Sequence, residues 1–173
     1  DMLAGCAARG YEWVVVTERA GRHRGIRPGD FEDYKHKIEA LDAKLGVRVV
    51  AGLEVEILPD GMLDFDHRLL AQIPWVVGVY RGMPESSDDA TDAIMWAMET
   101  GLMSCLAGPT GRHLGVHDGH GARFDDVVAC SVDFAVALEV SGDPQRLDLN
   151  GPTARRARDA GAQLVVSSSA ASV

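Results

Sequence analysis

Six short apolar runs, each separated from the next by loop or helical pattern, constrain this chain more than any other feature. Trp13–Thr17, Val47–Leu53, Trp75–Val79, Met103–Ala107, Val136–Val140 and Gln163–Ser167 are often β-branched, as expected of buried strands in a parallel sheet. Phe31–Leu45 reads as a helix with Ile38, Leu41 and Leu45 apolar. Asp30, after the Pro28-Gly29 turn, is its expected N-cap and Gly46 its C-cap. Asp88 or Asp89 opens a helix through Glu99 that Gly101 closes, and Asp125–Asp133 and Thr153–Ala160 supply two more. Strands alternating with helices predict βα units around a parallel sheet. There is no internal repeat or low-complexity linker.

The length of 173 residues is that of one domain, and 46% hydrophobic residues are enough for a real core. No apolar run approaches the roughly 20 residues that span a bilayer, and no signal-peptide pattern opens the chain. Cys6, Cys105 and Cys130 are odd in number and widely spaced. They read as reduced, partly buried thiols rather than a disulfide framework or a zinc ribbon. A cytoplasmic location is the expectation. The net charge of −9 repels phosphate overall and opposes autonomous nucleic-acid binding. Asp1 to Gly10 reads as the second half of a helix, so the sequence is expected to be part of a longer protein.

The residues offer few reactive constellations. His113, His117 and His120 are spaced to share a helical face, but Gly111, Gly115, Gly119 and Gly121 interleave them and favour a loop over a metal site. Glu54, Glu56, Asp60 and Asp64 form an acidic series without the spacing of a calcium loop. Gly108-Pro109-Thr110-Gly111-Arg112 lacks the lysine and glycine spacing of a phosphate loop. The serines from Ser167 to Ser169 have no base partner identifiable from sequence and read as a polar loop. Arg19, Arg22, His23, Arg24 and Arg27 form the one basic cluster. It either docks phosphate through guanidinium contacts or pairs with Asp30, Glu32 and Asp33 as a solvated loop.

Six segments, taken in order, resemble one family. They are Tyr11 to Arg19, ending Thr-Glu-Arg; Gly52 to Asp64; Pro74 to Tyr80; Leu106 to Arg112, with Gly-Pro-Thr-Gly-Arg; Ala137 to Asn150, with Leu-Glu-Val and Arg-Leu-Asp-Leu; and Gly161 to Ser172. Together they resemble the PHP family (polymerase and histidinol phosphatase domains), most closely the C-terminal PHP domain of bacterial family X DNA polymerases. The resemblance implies a partial, distorted TIM-like (β/α)7 barrel as a single domain over residues 1–173, with barrel elements continuing beyond both ends. It also implies a metal-dependent phosphoesterase ancestry, often 3′-5′ exonuclease, with a cluster of divalent ions such as Zn or Mn.

The family's ligands do not carry over well. Its Thr-Asp-His is Thr17-Glu18-Arg19 here, its later histidines are Tyr80 and Gly108, and its final Asp and His are Ser169 and Ala171. Of six visible ligand positions only Glu54 is retained, and the opening His-x-His motif is expected before Asp1. Glu139 and Arg146-Leu147-Asp148-Leu149 remain and are read as supporting the fold or loop. One glutamate cannot hold a metal cluster, and Arg19 sets a permanent positive charge where cations would sit.

The expectation is therefore a degenerate domain, with no catalytic residue and no cofactor, in a structural or interaction role beside other domains of a polymerase-like parent. An altered metal-dependent phosphoesterase and a non-catalytic phosphate- or DNA-binding module on Arg19, Arg22, Arg24 and Arg27 are the alternatives. No membrane partner is expected.

Overall fold

The computed structural model describes residues 2–21, 25–82 and 86–169. Helix α1 (Met2–Ala8) leads into β1 (Trp13–Ala20), a one-turn 3-10 segment (Pro28–Asp30) and α2 (Phe31–Leu45). Then follow β2 (Arg48–Ile57), α3 (His67–Leu70), β3 (Val76–Tyr80), α4 (Ser87–Glu99), β4 (Cys105–Ala107), α5 (Phe124–Asp133), β5 (Ala137–Ser141), α6 (Gly151–Asp159) and β6 (Leu164–Ser167). All neighbouring strands are parallel, and their order in the sheet is their order in the chain. The sheet curls into a half-barrel, compatible with a partial TIM-like fold. Six strands, not the seven of the expected barrel, lie among the described residues.

Register divides the sheet into two faces, because side chains alternate along a strand and paired residues share a face. Leu53 pairs with Val76, Val55 with Gly78, Ile57 with Tyr80, Gly78 with Leu106 and Leu106 with Leu138. Their side chains join Ala93, Ile94, Ala97 and Met98 of α4 and Val127 and Val128 of α5 in one apolar core. Gly78 is needed there: a Cβ would lie 2.4 Å from the Met103 methyl carbon. The intervening residues face the other way; Glu54, Val77 and Glu139 among them are only partly buried, whereas Cys105 and Ala137 on the same face are buried.

Local chemistry sets most element ends. Ser86 and Asp89 form a capping box on α4, and the Asn150 side chain caps α6 by accepting from the Thr153 N–H. These replace the expected openings at Asp88 or Asp89 and at Thr153. Asp30 makes no side-chain cap on α2; its carboxylate accepts from Arg27 Nε at 3.0 Å instead. Gly46 closes α2 in the left-handed conformation at φ 67°, as expected. The Tyr34 hydroxyl donates to the Val16 carbonyl at 2.7 Å and so ties α2 to β1. Burial, with Glu18 adding to it, pushes that phenol up to about 12. Leu41 and Leu45, expected on the apolar face of α2, fall outside the described side chains. Helix α3, capped by Asp66, has no counterpart among the sequence expectations because four residues are too few to show a period.

Leu53 is wholly buried, whereas Val166 on the edge strand β6 is 82% exposed. Leu53→Ala is expected to lower unfolding free energy by about 2–5 kcal/mol in urea denaturation, and Val166→Ala by less than about 0.5 kcal/mol. Val166 continues the same face as Leu138 through its pairing with Val140, so equal effects would contradict the contrast between the sealed centre of that face and its open edge.

Candidate functional site

The C-terminal ends of parallel strands are where a βα sheet builds its sites. Arg19 is the penultimate residue of β1, Tyr80 the last of β3 and Ser141 the last of β5, while Gly108 follows β4 and Ser169 lies just past β6. All therefore share one end of the sheet with Glu54. Ala171, Arg22, His23 and Arg24 lie outside the described residues.

Glu54 is the centre of an ion-pair cluster. Arg19 sits beside it in register, with Nε 3.4 Å from Glu54 Oε1. Arg81 donates from a terminal guanidinium nitrogen to the same oxygen at 2.6 Å. Arg81 was not singled out from the sequence, although alternation from Val77, the register partner of Glu54, through Val79 places it on that face. Tyr80 is the register partner of Ile57, is buried in the core and meets His120 edge-on at 5.5 Å between ring centroids. Tyr80 and Glu54 therefore share an end of the sheet but not a face.

A second cluster joins the loops after β4 and β5. The Asp148 carboxylate, 1% exposed, accepts from the N–H groups of Thr110 and Gly111, each at 3.0 Å, and from the Thr110 hydroxyl at 2.8 Å. Arg112 donates to the carbonyls of Arg146 and Leu147. Gly111 has φ 68°, and a Cβ there would come 2.3 Å from the His120 ring. The Gly-Pro-Thr-Gly-Arg segment thus spends its donors on the neighbouring loop. Glu139 also holds this region, accepting from Gly108 N–H at 3.1 Å and from the Ser167 hydroxyl at 2.6 Å. Ser169 Oγ lies 3.0 Å from Ser141 Oγ and 3.2 Å from Ser167 Oγ. Ser167 therefore has a carboxylate partner that the sequence reading missed; the pairing of Ser141 with Ser167 across β5 and β6 brings them together.

Burial raises the Glu139 carboxyl above its ordinary range; Ser167 and the Gly108 N–H oppose this, while Glu54 and Asp148 add to it. Burial likewise pushes the Cys105 thiol up to about 12 and the Cys130 thiol up to about 11, so neither supplies a thiolate nucleophile at neutral pH. His120 moves the other way: burial lowers it, against the pull of Asp148 and the Gly108 carbonyl. Its Nδ1 accepts from the Ala122 N–H at 3.3 Å, and its buried Nε2 has no hydrogen-bond partner among the described residues.

His113 and His117 form a bridge within a loop, as the glycine pattern implied, and their rings meet edge-on at 5.9 Å. His120 joins Tyr80 rather than this pair. Among the described residues no three His, Cys, Asp or Glu side chains converge as a metal site requires. The described donors at the mouth likewise do not fit a cluster of divalent ions: Glu54 is committed to two guanidiniums, Gly108 has no side chain, and Ser169 is bonded to serines. Arg27 pairs with Asp30. No described helix is long and apolar enough to cross a membrane.

No protein-family profile matches the chain. It is similar to the DNA polymerase/3′-5′ exonuclease PolX of Bacillus subtilis (strain 168), at 29% identity over 178 residues. The match covers 98% of this chain and 31% of that protein, in its C-terminal part. The chain spans less than a third of the length of this curated relative.

Two outcomes test the loop lock. Asp148→Ala strands two partly buried N–H groups, so it is expected to cost about 3 kcal/mol of stability in urea denaturation; a cost below about 1 kcal/mol would refute the lock. The His120 outcome depends on pH. An unfolded chain protonates this histidine near its ordinary 6.5 while the folded state resists. Stability is thus fully present above that value and falls as pH drops below it. Glu139 acts in the opposite sense, since its folded carboxyl keeps its proton above the ordinary 4.5 and costs stability as pH rises. The difference between wild type and His120→Phe isolates the first effect. Wild type is expected to lose more stability than the variant between about pH 7 and pH 5, and parallel pH profiles would refute it.

Proposed function

We propose that this chain is a PHP-like domain of a polymerase X-like protein in which an organic ion-pair cluster stands where the family keeps its metals. Its role is structural and interactive, toward other domains of such a protein, and it does not perform metal-dependent phosphoester hydrolysis. The similarity to PolX supports the parentage. The observation that carries the rest is that Arg19 and Arg81 both engage the same oxygen of Glu54, the one retained ligand position.

A cation bound at Glu54 would have to displace or approach these guanidiniums. At about 4 Å and an effective dielectric near 20, a guanidinium opposes each unit of cation charge by roughly 4 kcal/mol before solvent screening. Solvent weakens this most at Arg19, whose side chain is 77% exposed, and less at Arg81, which is 41% exposed. The remaining conserved-type pieces have structural partners: Thr110, Gly111 and Asp148 bind each other, and Glu139 supports Gly108 and Ser167. The three free cysteines fit a reducing, cytoplasmic setting.

A second reading, an exonuclease with an altered site, draws on the activity named for the PolX relative. Hydrolysis would require a metal or another means of activating water, and among the described residues the mouth offers no assembled donor set for one. Elemental analysis and an exonuclease assay separate the two readings. The purified chain is expected to hold no stoichiometric Zn or Mn and to release no 3′ nucleotides from single-stranded DNA when Mn is added. Near-equimolar metal, abolished by Glu54→Ala, would establish the second reading instead.

A further inference from the structure

We infer that Arg19 and Arg81 form a preformed clamp for a phosphate oxyanion, and that Glu54 is the internal anion that occupies it. This rests on the reading of the mouth as metal-free. Two guanidiniums, one from β1 and one from the residue after β3, converge on the single oxygen Oε1 of Glu54. A carboxylate oxygen held between two cations is in the position that a phosphoryl oxygen would take. A phosphate offers more negative charge and more acceptor oxygens than a carboxylate, and guanidiniums match its geometry.

The clamp is accessible. The side chains of Arg19, Arg81 and Glu54 are 77%, 41% and 24% exposed, so an anion can enter without opening the core. It also lies at the C-terminal end of the sheet, where Arg19 is held in register with Glu54 inside β1 and Arg81 directly follows the last residue of β3. Two other acids at this end of the sheet are already engaged, while Glu56, two residues on from Glu54 on the same strand face, is exposed. Asp148 is bound to Thr110 and Gly111, and Glu139, bound to Ser167 and Gly108, has its carboxyl pushed toward the neutral form. Arg27 is engaged by Asp30 instead.

The net charge of −9 sets a weak affinity that falls as salt rises. Removing the internal anion reverses part of that penalty. Glu54→Gln keeps the shape and hydrogen-bonding capacity of the side chain but releases both cations. This inverts the usual expectation for a retained family ligand, whose loss should weaken any binding that runs through a metal.

The test uses metal-stripped protein in low-salt buffer with two probes: inorganic phosphate, followed by calorimetry, and a fluorescent single-stranded DNA oligonucleotide, followed by anisotropy. Glu54→Gln is expected to tighten binding of at least one probe by about three- to tenfold, and Arg81→Ala to weaken it by at least about fivefold. Arg158→Ala, which removes an equal charge from α6, controls for net charge and is expected to change binding by less than about twofold. Tightening for phosphate alone identifies a small phosphate as the ligand, and tightening for DNA identifies the strand backbone. Unchanged or weaker binding by Glu54→Gln for both probes, or equal losses in Arg81→Ala and Arg158→Ala, would overturn the clamp. Metal found on the untreated protein would overturn the metal-free reading separately, because the binding assay contains no metal.

Discussion

Leu53, Val55 and Ile57 are almost wholly removed from solvent, and because strand side chains alternate, the residues between them must face the other way. That constraint organises the molecule. Each apolar position sealed under α4 and α5 fixes the orientation of its neighbours, so Glu54 is delivered to the open face by burial of residues on both sides of it. Register then carries the constraint across the sheet: Arg19 pairs with Glu54, Glu54 with Val77, and alternation from Val77 through Val79 brings Arg81 to the same face. A one-residue slip would bury Glu54 and expose Leu53, a change costly enough to hold the register.

The open end of the sheet has two halves with different physics. Over β1 to β3 it is a partly exposed ion-pair cluster, in which Arg19 and Arg81 share one carboxylate oxygen of Glu54. Over β4 to β6 it is a buried hydrogen-bonded lock, in which Asp148 and Glu139 satisfy N–H and hydroxyl donors of adjoining loops. Charge in the first half is solvated and adjustable. In the second half it is enclosed, and removing one partner leaves others unsatisfied.

Much of this was legible in the sequence. Apolar β-branched runs located all six strands, and Gly46 marked the end of α2 through its left-handed backbone. Strand ends were less legible. Glu18 to Ala20 and Glu54 to Ile57 continue β1 and β2 as ladder pairs, but their mixed polar composition conceals this where one face is open. The caps Ser86 and Asn150 lie just outside the helical patterns. At the site, Arg19 was expected just past the first strand and lies within β1, Glu54 was singled out through the family resemblance, and Arg81 needed the register between β2 and β3. Neither the partnership of Ser167 with Glu139 nor the burial of His120 against Tyr80 is local in sequence, and only the folded sheet unites them.

The central claim is that ion pairing, not metal, holds the mouth of the half-barrel. Paramagnetic relaxation by Mn²⁺ tests it directly, through titration of an isotopically labelled chain while its amide resonances are followed. The account predicts weak broadening spread over exposed acidic residues, with no preference for the strand ends. Selective, saturable loss of the Glu54, Arg81, Gly108 and Glu139 amide signals at equimolar Mn²⁺ would contradict it.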